Sequence, residues 1–139
     1  MEIYRLTHLH FDGCGMDEKN LGYYTERKAI DEAVVIFQSM PGFLQHPNGF
    51  VIQRMQLSSS IEKSTIFEAT VYSHDALYER EHTFFLGVFN QRQEAIEAIE
   101  GFVQDNSRLL ADETLCFENN IDAYRVDEHQ WSEGFTADQ

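Results

Sequence analysis

Residues 3–11, IYRLTHLHF, alternate between the two sides of an extended chain, and their β-branched and aromatic content is typical of a strand. In this strand His8 and His10 lie on the same face. The following DGCGMDEKN stretch predicts a tight turn, because its two glycines permit the positive backbone dihedrals that a reversal needs. The LGYYT stretch, residues 21–25, then predicts a second strand.

The pattern changes to helical spacing after the second strand. Apolar residues recur every three or four positions from residue 26 to residue 39, and Thr25 is the expected N-cap. Pro41 and Gly42 end the predicted helix. After the loop PGFLQHPNGF, residues 50–57 predict a third strand.

The second half of the chain repeats this order of elements. Strands are predicted at residues 66–73, 83–89 and 120–126, with a helix from about residue 91 to residue 103. Asn90 is the expected N-cap of that helix.

Two stretches of similar sequence indicate an internal duplication. LGYYTERKAIDEAV, residues 21–34, and LGVFNQRQEAIEAI, residues 86–99, lie 65 positions apart and are identical at five positions. We interpret residues 1–58 and 65–135 as repeats within a single domain, since two copies suit one globule better than a solenoid. The predicted fold class is α+β: two tandem ββαβ repeats, each a small, mainly antiparallel sheet covered by one helix, packed into one globule.

The composition predicts a folded protein in the cytoplasm. Of the 139 residues, 42% are hydrophobic, which is enough for a core of its own. No apolar run approaches the roughly 18 residues that span a bilayer, and the N-terminus lacks a signal-peptide pattern, so we expect no membrane partner. Cys14 and Cys116 lie far apart, without the spacing of a zinc site or a disulfide framework.

The charge of the chain restricts its partners. Twenty-four acidic and ten basic residues give a formal charge of −14. Residues 1–69 contribute −3 and residues 70–139 contribute −11. A field of this sign repels phosphate backbones, so nucleic acid is a poor partner and a basic protein is a good one. The alternative interpretation is that the charge provides only solubility.

Few residues form a pattern that catalysis requires. His8 and His10 could bind a metal ion if a carboxylate or Cys14 joined them, but the sequence has no second cluster of ligands. Adjacent acidic pairs such as Asp112 and Glu113 do not place two carboxylates across a pocket. The sequence also lacks phosphate-binding and nucleophile motifs. We therefore predict a protein that is not an enzyme and has neither a metal nor a cofactor.

The stretch DEHQWSEGF, residues 127–135, contains the only tryptophan, Trp131, with acidic residues on both sides. An aromatic anchor among acids suits a basic partner, because the ring supplies contact area and the acids attract opposite charge. The alternative is that Trp131 folds back over the sheet as a lid.

The order of these motifs resembles that of a family of small bacterial proteins of unknown function. The similarity consists of an LG pair followed by aromatic residues, then PGFLQHPNGF, and finally WSEGF. The chain also resembles, in physical type, the immunity proteins of contact-dependent inhibition systems, which neutralise nuclease toxins. This second resemblance implies that the target is the basic cleft of a nuclease.

The charge and the resemblance together lead to one functional hypothesis. We expect a cytoplasmic immunity or inhibitor protein that occludes the active-site cleft of a basic nuclease toxin. The predicted contacts are acidic residues of the second repeat and the tail, together with the tryptophan: Asp75, Glu79, Glu81, Asp112, Glu113, Glu118, Asp122, Asp127, Glu128, Trp131 and Glu133.

Two other functions and one assembly stay open. A small-ligand-binding regulatory module without catalysis would bind its ligand between the repeats, with Tyr23, Tyr24 and Phe85 lining the cleft. A metal-dependent enzyme would use His8, His10 and an acidic residue. Edge strands could also pair two copies of the chain into a homodimer.

Overall fold

A computed structural model describes most of the chain, namely residues 1–11, 13, 15–58, 64–75, 77, 80–107 and 115–135. Its elements in chain order are β1 (Glu2–Phe11), β2 (Met16–Tyr24), α1 (Arg27–Gln38), β3 (Phe50–Gln56), β4 (Thr65–Asp75), β5 (Arg80–Phe89), α2 (Arg92–Asp105) and β6 (Leu115–Arg125). No helix in these described ranges is long and apolar enough to cross a bilayer.

The chain divides into two compact units. Unit 1 consists of Met1–Gln56 and the chain from Arg125 onwards, and unit 2 consists of Leu57–Tyr124. Each unit has one helix and one three-stranded sheet, with strand orders β2-β1-β3 and β5-β4-β6. The α+β class and the antiparallel sheets covered by one helix each are confirmed, and in each unit the third strand lies beside the first.

The core of unit 1 lies between its sheet and α1. The face of β1 that carries Leu6 meets Leu21 and Tyr24 of β2. These side chains pack against the apolar face of α1 and against the loop that follows it, through Ile30, Ala33, Phe37 and Phe43, all with no exposed area. Burial of this apolar face, rather than helix propensity, stabilises a helix of 12 residues.

Unit 2 has the same plan with a smaller buried core. Ala69 of β4 packs against Ala95 and Ile99 of α2. The ring of Phe84 in β5 lies 5.1 Å from the ring of Phe102 in α2. One face of the sheet is therefore covered by the helix, and alternate residues of each strand point away from it.

The strands are longer than the sequence predicts. β2 begins at Met16, five residues before the predicted start at Leu21, and pairs with β1 from Phe11↔Met16 to Tyr4↔Tyr24. The predicted turn DGCGMDEKN is therefore wrong over MDEKN, because ladder hydrogen bonds join main-chain groups and tolerate polar side chains at a solvent-exposed end. In unit 2, β5 and β6 likewise begin at Arg80 and Leu115, before their predicted starts.

Both predicted N-caps are wrong by one residue. The N-cap positions are occupied by Glu26 in α1 and Gln91 in α2, and neither side chain makes a capping hydrogen bond. The hydroxyl of Thr25 donates instead to Asp127 Oδ2 at 2.8 Å. Asn90 Oδ1 accepts a hydrogen bond from the hydroxyl of Ser58. Both predicted caps are engaged in tertiary contacts, which spacing along the sequence does not show.

Residues 125–135, here called the C-terminal segment, pack with unit 1, although the sequence assigned them to the second repeat. The backbone N–H groups of Asp127 and Gln130 donate to the carbonyls of Tyr23 (2.7 Å) and Leu21 (3.0 Å). Both acceptors belong to β2, which forms an edge of its sheet. The segment thus satisfies carbonyl groups that an uncovered edge strand would leave to solvent or to another chain.

Glycines allow the C-terminal segment to approach unit 1 closely. A Cβ atom on Gly42 would lie 2.4 Å from the carbonyl oxygen of Phe135, and one on Gly22 would lie 2.7 Å from that of Glu128. Gly42 also has a φ of +87°, in the left-handed region that favours glycine. The backbone N–H of Phe135 completes the contact by donating to the carbonyl of Pro41 at 2.8 Å.

A pair of glycine substitutions tests this close approach. We expect Gly42→Ala to destabilise unit 1 by at least about 2 kcal/mol, since it combines a strained φ with a backbone collision. Gly101→Ala, in α2, meets no atom within 4 Å and should stabilise unit 2 by about 0.5–1 kcal/mol through helix propensity. Urea unfolding measures both. Equal effects of the two variants would contradict the predicted role of Gly42.

Candidate functional site

The sheet of unit 2 has a face that its own helix does not cover. Phe84 and Leu86 of β5 contact the helix side of the sheet. The alternate residues Glu81, Thr83 and Phe85 therefore point to the other side, where all three are exposed. Phe85 retains 38% of its side-chain exposure, which is unusual for an aromatic residue in the middle of a strand.

Tyr72 of β4 lies on the same side of the sheet as Thr83 and Phe85. It is paired with Thr83 in the β4–β5 ladder, and its hydroxyl donates a hydrogen bond to Glu81. The pKa of the Tyr72 hydroxyl is raised, first by this hydrogen bond and then by burial and by the charges of Glu81 and Glu118. All three strands thus contribute to one constellation, since Glu118 belongs to β6.

A second acid of β6 lies on the same side. Ile121 packs into the helix-side core, so its neighbour Asp122 faces the other way, as does Glu118 four residues earlier. Both carboxylates are exposed and form no ion pair with any described residue. We call this set the acidic face: Tyr72, Glu81, Phe85, Glu118 and Asp122.

The acidic face belongs to the more strongly charged unit. Residues 57–124 contain thirteen acids and four bases, a formal charge of −9, whereas the rest of the chain contains eleven acids and six bases, a charge of −5. The exposed face of α2 adds Glu97, Glu100 and Asp105. The field around unit 2 is therefore negative on the helix side as well as on the acidic face.

Asp75, another predicted contact in unit 2, has a local structural role. The carboxylate of Asp75 accepts a hydrogen bond from the backbone N–H of Leu77 at 3.0 Å, the geometry of an Asx turn at the end of β4. Glu79, Asp112 and Glu113 lie outside the described residues. Of the seven predicted acids of this unit, the structure brings Glu81, Glu118 and Asp122 to one side of the sheet.

Two of the predicted contacts in the C-terminal segment, Asp127 and Trp131, contact the rest of unit 1. Asp127 accepts hydrogen bonds from the backbone N–H (2.9 Å) and the hydroxyl (2.8 Å) of Thr25. Glu128 Oε1 lies 3.5 Å from Arg125 Nε, and both side chains are exposed. Trp131 is half-buried and packs against the core of unit 1, so its ring folds back onto the sheet, as the alternative interpretation proposed. Glu133 is exposed.

Tyr24 links the C-terminal segment to the core electrostatically. Its hydroxyl lies 2.7 Å from His129 Nδ1. Burial raises the pKa of this hydroxyl, and the charge of Asp127 raises it further. Tyr24 therefore stays neutral over the physiological pH range and can act as a hydrogen-bonding group within the segment contact.

Unit 1 also holds a cluster of imidazole and phenyl rings around β1. His8 has no exposed area, and its ring meets the rings of Phe43 and Phe50 edge-on at 4.9 and 4.8 Å. His8 Nε2 donates to the carbonyl of His46 at 2.9 Å, and Nδ1 has no hydrogen-bond partner among the described residues. A second proton on Nδ1 would therefore place a buried charge without an acceptor.

Burial lowers the pKa of His8, and the hydrogen bond to the His46 carbonyl opposes this shift only in part. The positive charges that His10, His46 and Lys19 can carry lower the pKa further. Although the two histidines of β1 share a face as predicted, His8 is a fully buried neutral group and not a surface residue. No cluster of three or more His, Cys, Asp or Glu side chains suitable for a metal ion occurs in the described part of the chain.

The residues proposed for a ligand cleft between the repeats lie in different environments. Tyr23 and Tyr24 are buried, with exposures of 0% and 2%, and Tyr24 is part of the unit 1 core. Phe85 is exposed on the acidic face of unit 2.

Sequence reasoning missed Tyr72 as a candidate residue. A period-two pattern places Tyr72 on one face of β4, but the hydrogen bond to Glu81 of β5 and the nearby charge of Glu118 of β6 follow only from the pairing of the strands. The acidic residues could be predicted from the sequence, because a carboxylate is recognisable from its residue type without knowledge of how the strands pair.

Comparison of the chain with protein-family models, with curated proteins and with solved structures gives no match.

The contact between Asp127 and Thr25 should stabilise unit 1. We expect Asp127→Ala to lower the free energy of unfolding by about 1–2 kcal/mol, since two hydrogen bonds are lost. Glu128→Ala is the matched control, because its exposed ion pair is worth at most about 0.5 kcal/mol. Trp131 fluorescence in a urea titration reports on unit 1. If Asp127→Ala lowers the free energy of unfolding no more than Glu128→Ala does, the Asp127 carboxylate is dispensable for the stability of unit 1.

The lowered pKa of His8 makes stability depend on pH. The unfolded chain binds a proton near pH 6.5, the ordinary value, whereas folded His8 binds it only at lower pH. Stability should therefore fall as the pH drops below about 6.5 and be independent of His8 above it. We expect His8→Gln to reduce the slope of unfolding free energy against pH in this window. The same slope in the wild type and in His8→Gln would refute the assignment of this pH dependence to His8.

Proposed function

We propose that the protein is a binding protein without catalytic activity, which uses the acidic face of unit 2 to bind a basic protein. The observation that carries this proposal is the position of Glu81 and Glu118 beside Tyr72, with Phe85 and Asp122 on the same side of a sheet whose other side is covered by α2. The face combines charge with aromatic area, and both are exposed.

The two components of the face act at different stages of binding. Carboxylates on a unit of net charge −9 attract a basic partner over distances of about one Debye length, which raises the association rate. The rings of Tyr72 and Phe85 supply apolar area that is desolvated only in the complex, which slows dissociation. Tyr72 is neutral and can exchange its hydrogen bond to Glu81 for one to the partner.

A nuclease toxin is a partner with suitable chemistry. Enzymes that cleave RNA or DNA bind phosphate through basic clefts, and an acidic protein face can occupy such a cleft in place of the substrate. We therefore propose an immunity or inhibitor protein that occludes the active-site cleft of a nuclease toxin and acts in the cytoplasm. The same charge disfavours nucleic acid as a direct ligand.

The remaining predicted contacts are of two kinds. Six of them stay predicted contacts of the partner: Asp75, Glu79, Asp112, Glu113, Glu128 and Glu133. Asp127 and Trp131 already contact unit 1, so we propose that their main role is to hold the C-terminal segment in place. Pairing of two copies through edge strands also stays a prediction.

Two triple variants with the same change in net charge test the proposal. In the first, Glu81→Gln, Glu118→Gln and Asp122→Asn neutralise the acidic face. In the second, Glu97→Gln, Glu100→Gln and Asp105→Asn neutralise three exposed acids of α2 on the other side of the sheet. The partner to be used is the product of the adjacent gene, first assayed for nuclease activity, and the readouts are association rate and protection of growing cells.

We expect the acidic-face variant to associate at least about tenfold more slowly at about 50 mM salt, with a weaker salt dependence and loss of protection. The α2 variant should retain protection and most of the rate. Equal effects of the two variants would mean that only net charge matters and would overturn the acidic face as the binding site. Absence of binding and of protection by the wild type would overturn the inhibitor function itself.

A further inference from the structure

The edge strands of the two sheets differ in how well they can accept another strand. In unit 1, β2 is covered by the C-terminal segment, whose backbone N–H groups donate to two of its carbonyls. In unit 2, β5 carries a β-bulge, since Ala69 of β4 pairs with Gly87 but the next residue, Thr70, pairs with Phe85. A bulge bends an edge strand and interrupts the ladder that an added strand would continue. Two edges are left, β3 and β6.

β6 is the longest of the edge strands. It has 11 residues, against 10 in β5, 9 in β2 and 7 in β3. Its sequence, LCFENNIDAYR, contains no proline, glycine or lysine, the residue types that commonly protect an edge strand from pairing. Among the described residues, none outside the sheet hydrogen-bonds to residues 117–123. β6 therefore presents a row of backbone N–H and C=O groups to which another strand can bind.

The charges on the two remaining edges favour β6 for a basic strand. Glu118 and Asp122 are exposed on one side of β6, and the strand has no basic residue before Arg125. β3 contains no acidic residue, and its one charged residue, Arg54, is exposed. A basic segment is thus attracted to the edge of β6 and finds no opposite charge on β3.

A second copy of the chain is a poor occupant of this edge. Full-length antiparallel pairing of β6 with the same strand of another copy would centre on Asn120, the middle residue of Leu115–Arg125. Glu118 of each copy would then lie directly opposite Asp122 of the other. Like charges that face each other across two strands are destabilising. The edge therefore selects a strand whose charge is opposite to its own.

The spacing of the two acids defines the complementary sequence. Residues four apart in a strand lie on one side of it, about 14 Å from each other. In an antiparallel pair, the residues opposite Glu118 and Asp122 are likewise four apart and point to the same side as the carboxylates. Lysine or arginine at those two positions would form two cross-strand ion pairs beside the acidic face.

We propose that the edge of β6 binds an extended segment of the basic partner as an added antiparallel strand, with two basic side chains four residues apart opposite Glu118 and Asp122. This inference rests on the proposed partner binding and assigns main-chain contacts to it. In strand addition the main-chain hydrogen bonds supply affinity, and the side chains supply specificity.

Two nine-residue peptides of identical composition test the proposal without the partner itself. TVKVTVKVT places its lysines four apart, on one side of a strand, whereas TVKVTKVVT places them three apart, on opposite sides. Each is titrated into the full chain and followed through backbone amide signals in NMR. We expect saturable shifts in β6 with the first peptide. The second should bind about two- to fivefold more weakly, because one exposed ion pair is lost.

Amide hydrogen exchange distinguishes strand addition from docking through side chains. In the free protein, alternate amides of residues 117–123 face β4 and should be protected, while those between them exchange rapidly. TVKVTVKVT at about ten times its Kd should slow exchange of the second set about tenfold and leave the first set unchanged.

Two double variants with the same change in net charge localise the binding. Glu118→Gln with Asp122→Asn should weaken binding of TVKVTVKVT about three- to tenfold, the value of two exposed ion pairs. Glu97→Gln with Glu100→Gln neutralises two exposed acids of α2 and should leave binding as in the wild type. Equal effects of the two variants would mean that only net charge matters and would overturn the proposal.

Other outcomes would also contradict strand addition. Equal affinity of the two peptides, absence of shifts in β6, or peptide protection without alternation along β6 would each overturn it. If both sets of amides are protected in the free protein and its mass is that of a dimer, a second copy covers the edge and the proposal is wrong.

The peptide test can fail independently of the inhibitor function. A wild type that binds TVKVTVKVT at β6, but neither binds the product of the adjacent gene nor protects cells, would support the edge as a strand-binding site and overturn only the inhibitor function. A wild type that binds that product and protects cells, but shows no effect of the peptide on β6, would overturn only strand addition.

Discussion

Backbone hydrogen bonds between the C-terminal segment and unit 1 are the constraint on which the rest of the structure depends. The N–H groups of Asp127, Gln130 and Phe135 reach carbonyls of β2 and of the loop after α1. These contacts require glycine at positions 22, 42 and 134, where a Cβ atom would lie within 2.7 Å of a backbone oxygen. Unit 1 is therefore completed by chain that follows unit 2 in sequence, and its edge strand β2 is covered without a second molecule.

This constraint separates acidic residues with a structural role from those of the proposed binding surface. In the C-terminal segment the carboxylate of Asp127 accepts from Thr25, and Trp131 packs on the core. In unit 2 the carboxylates of Glu118 and Asp122 have no such task and face solvent. Residues that look equivalent in composition therefore differ in what they can offer to a partner.

The sequence predicted the order of elements, the antiparallel sheets and the helix over each sheet, because alternation and helical spacing report which side chains are buried. It did not predict that β2 begins at Met16, since ladder hydrogen bonds continue through polar residues that carry no periodic signal. It also misplaced Thr25, whose hydroxyl bonds to Asp127 across 102 residues. Contacts of this range follow from tertiary structure and not from local spacing.

The candidate site, too, could be predicted from the sequence only in part. The charge distribution along the chain is sufficient to nominate Glu81, Glu118 and Asp122 as contacts, because a carboxylate is recognisable from its residue type. Tyr72 could not be nominated in this way, because its role depends on the register that brings Glu81 and Glu118 to its hydroxyl.

Amide hydrogen exchange, measured on the free protein and on its complex with the basic partner, tests the central claim most directly. We predict that residues 126–131 are already protected in the free protein and change little on binding, while new protection appears at residues 81–85 of β5 and 118–122 of β6. New protection confined to the C-terminal segment, with β5 and β6 unchanged, would contradict the assignment of the acidic face as the binding surface.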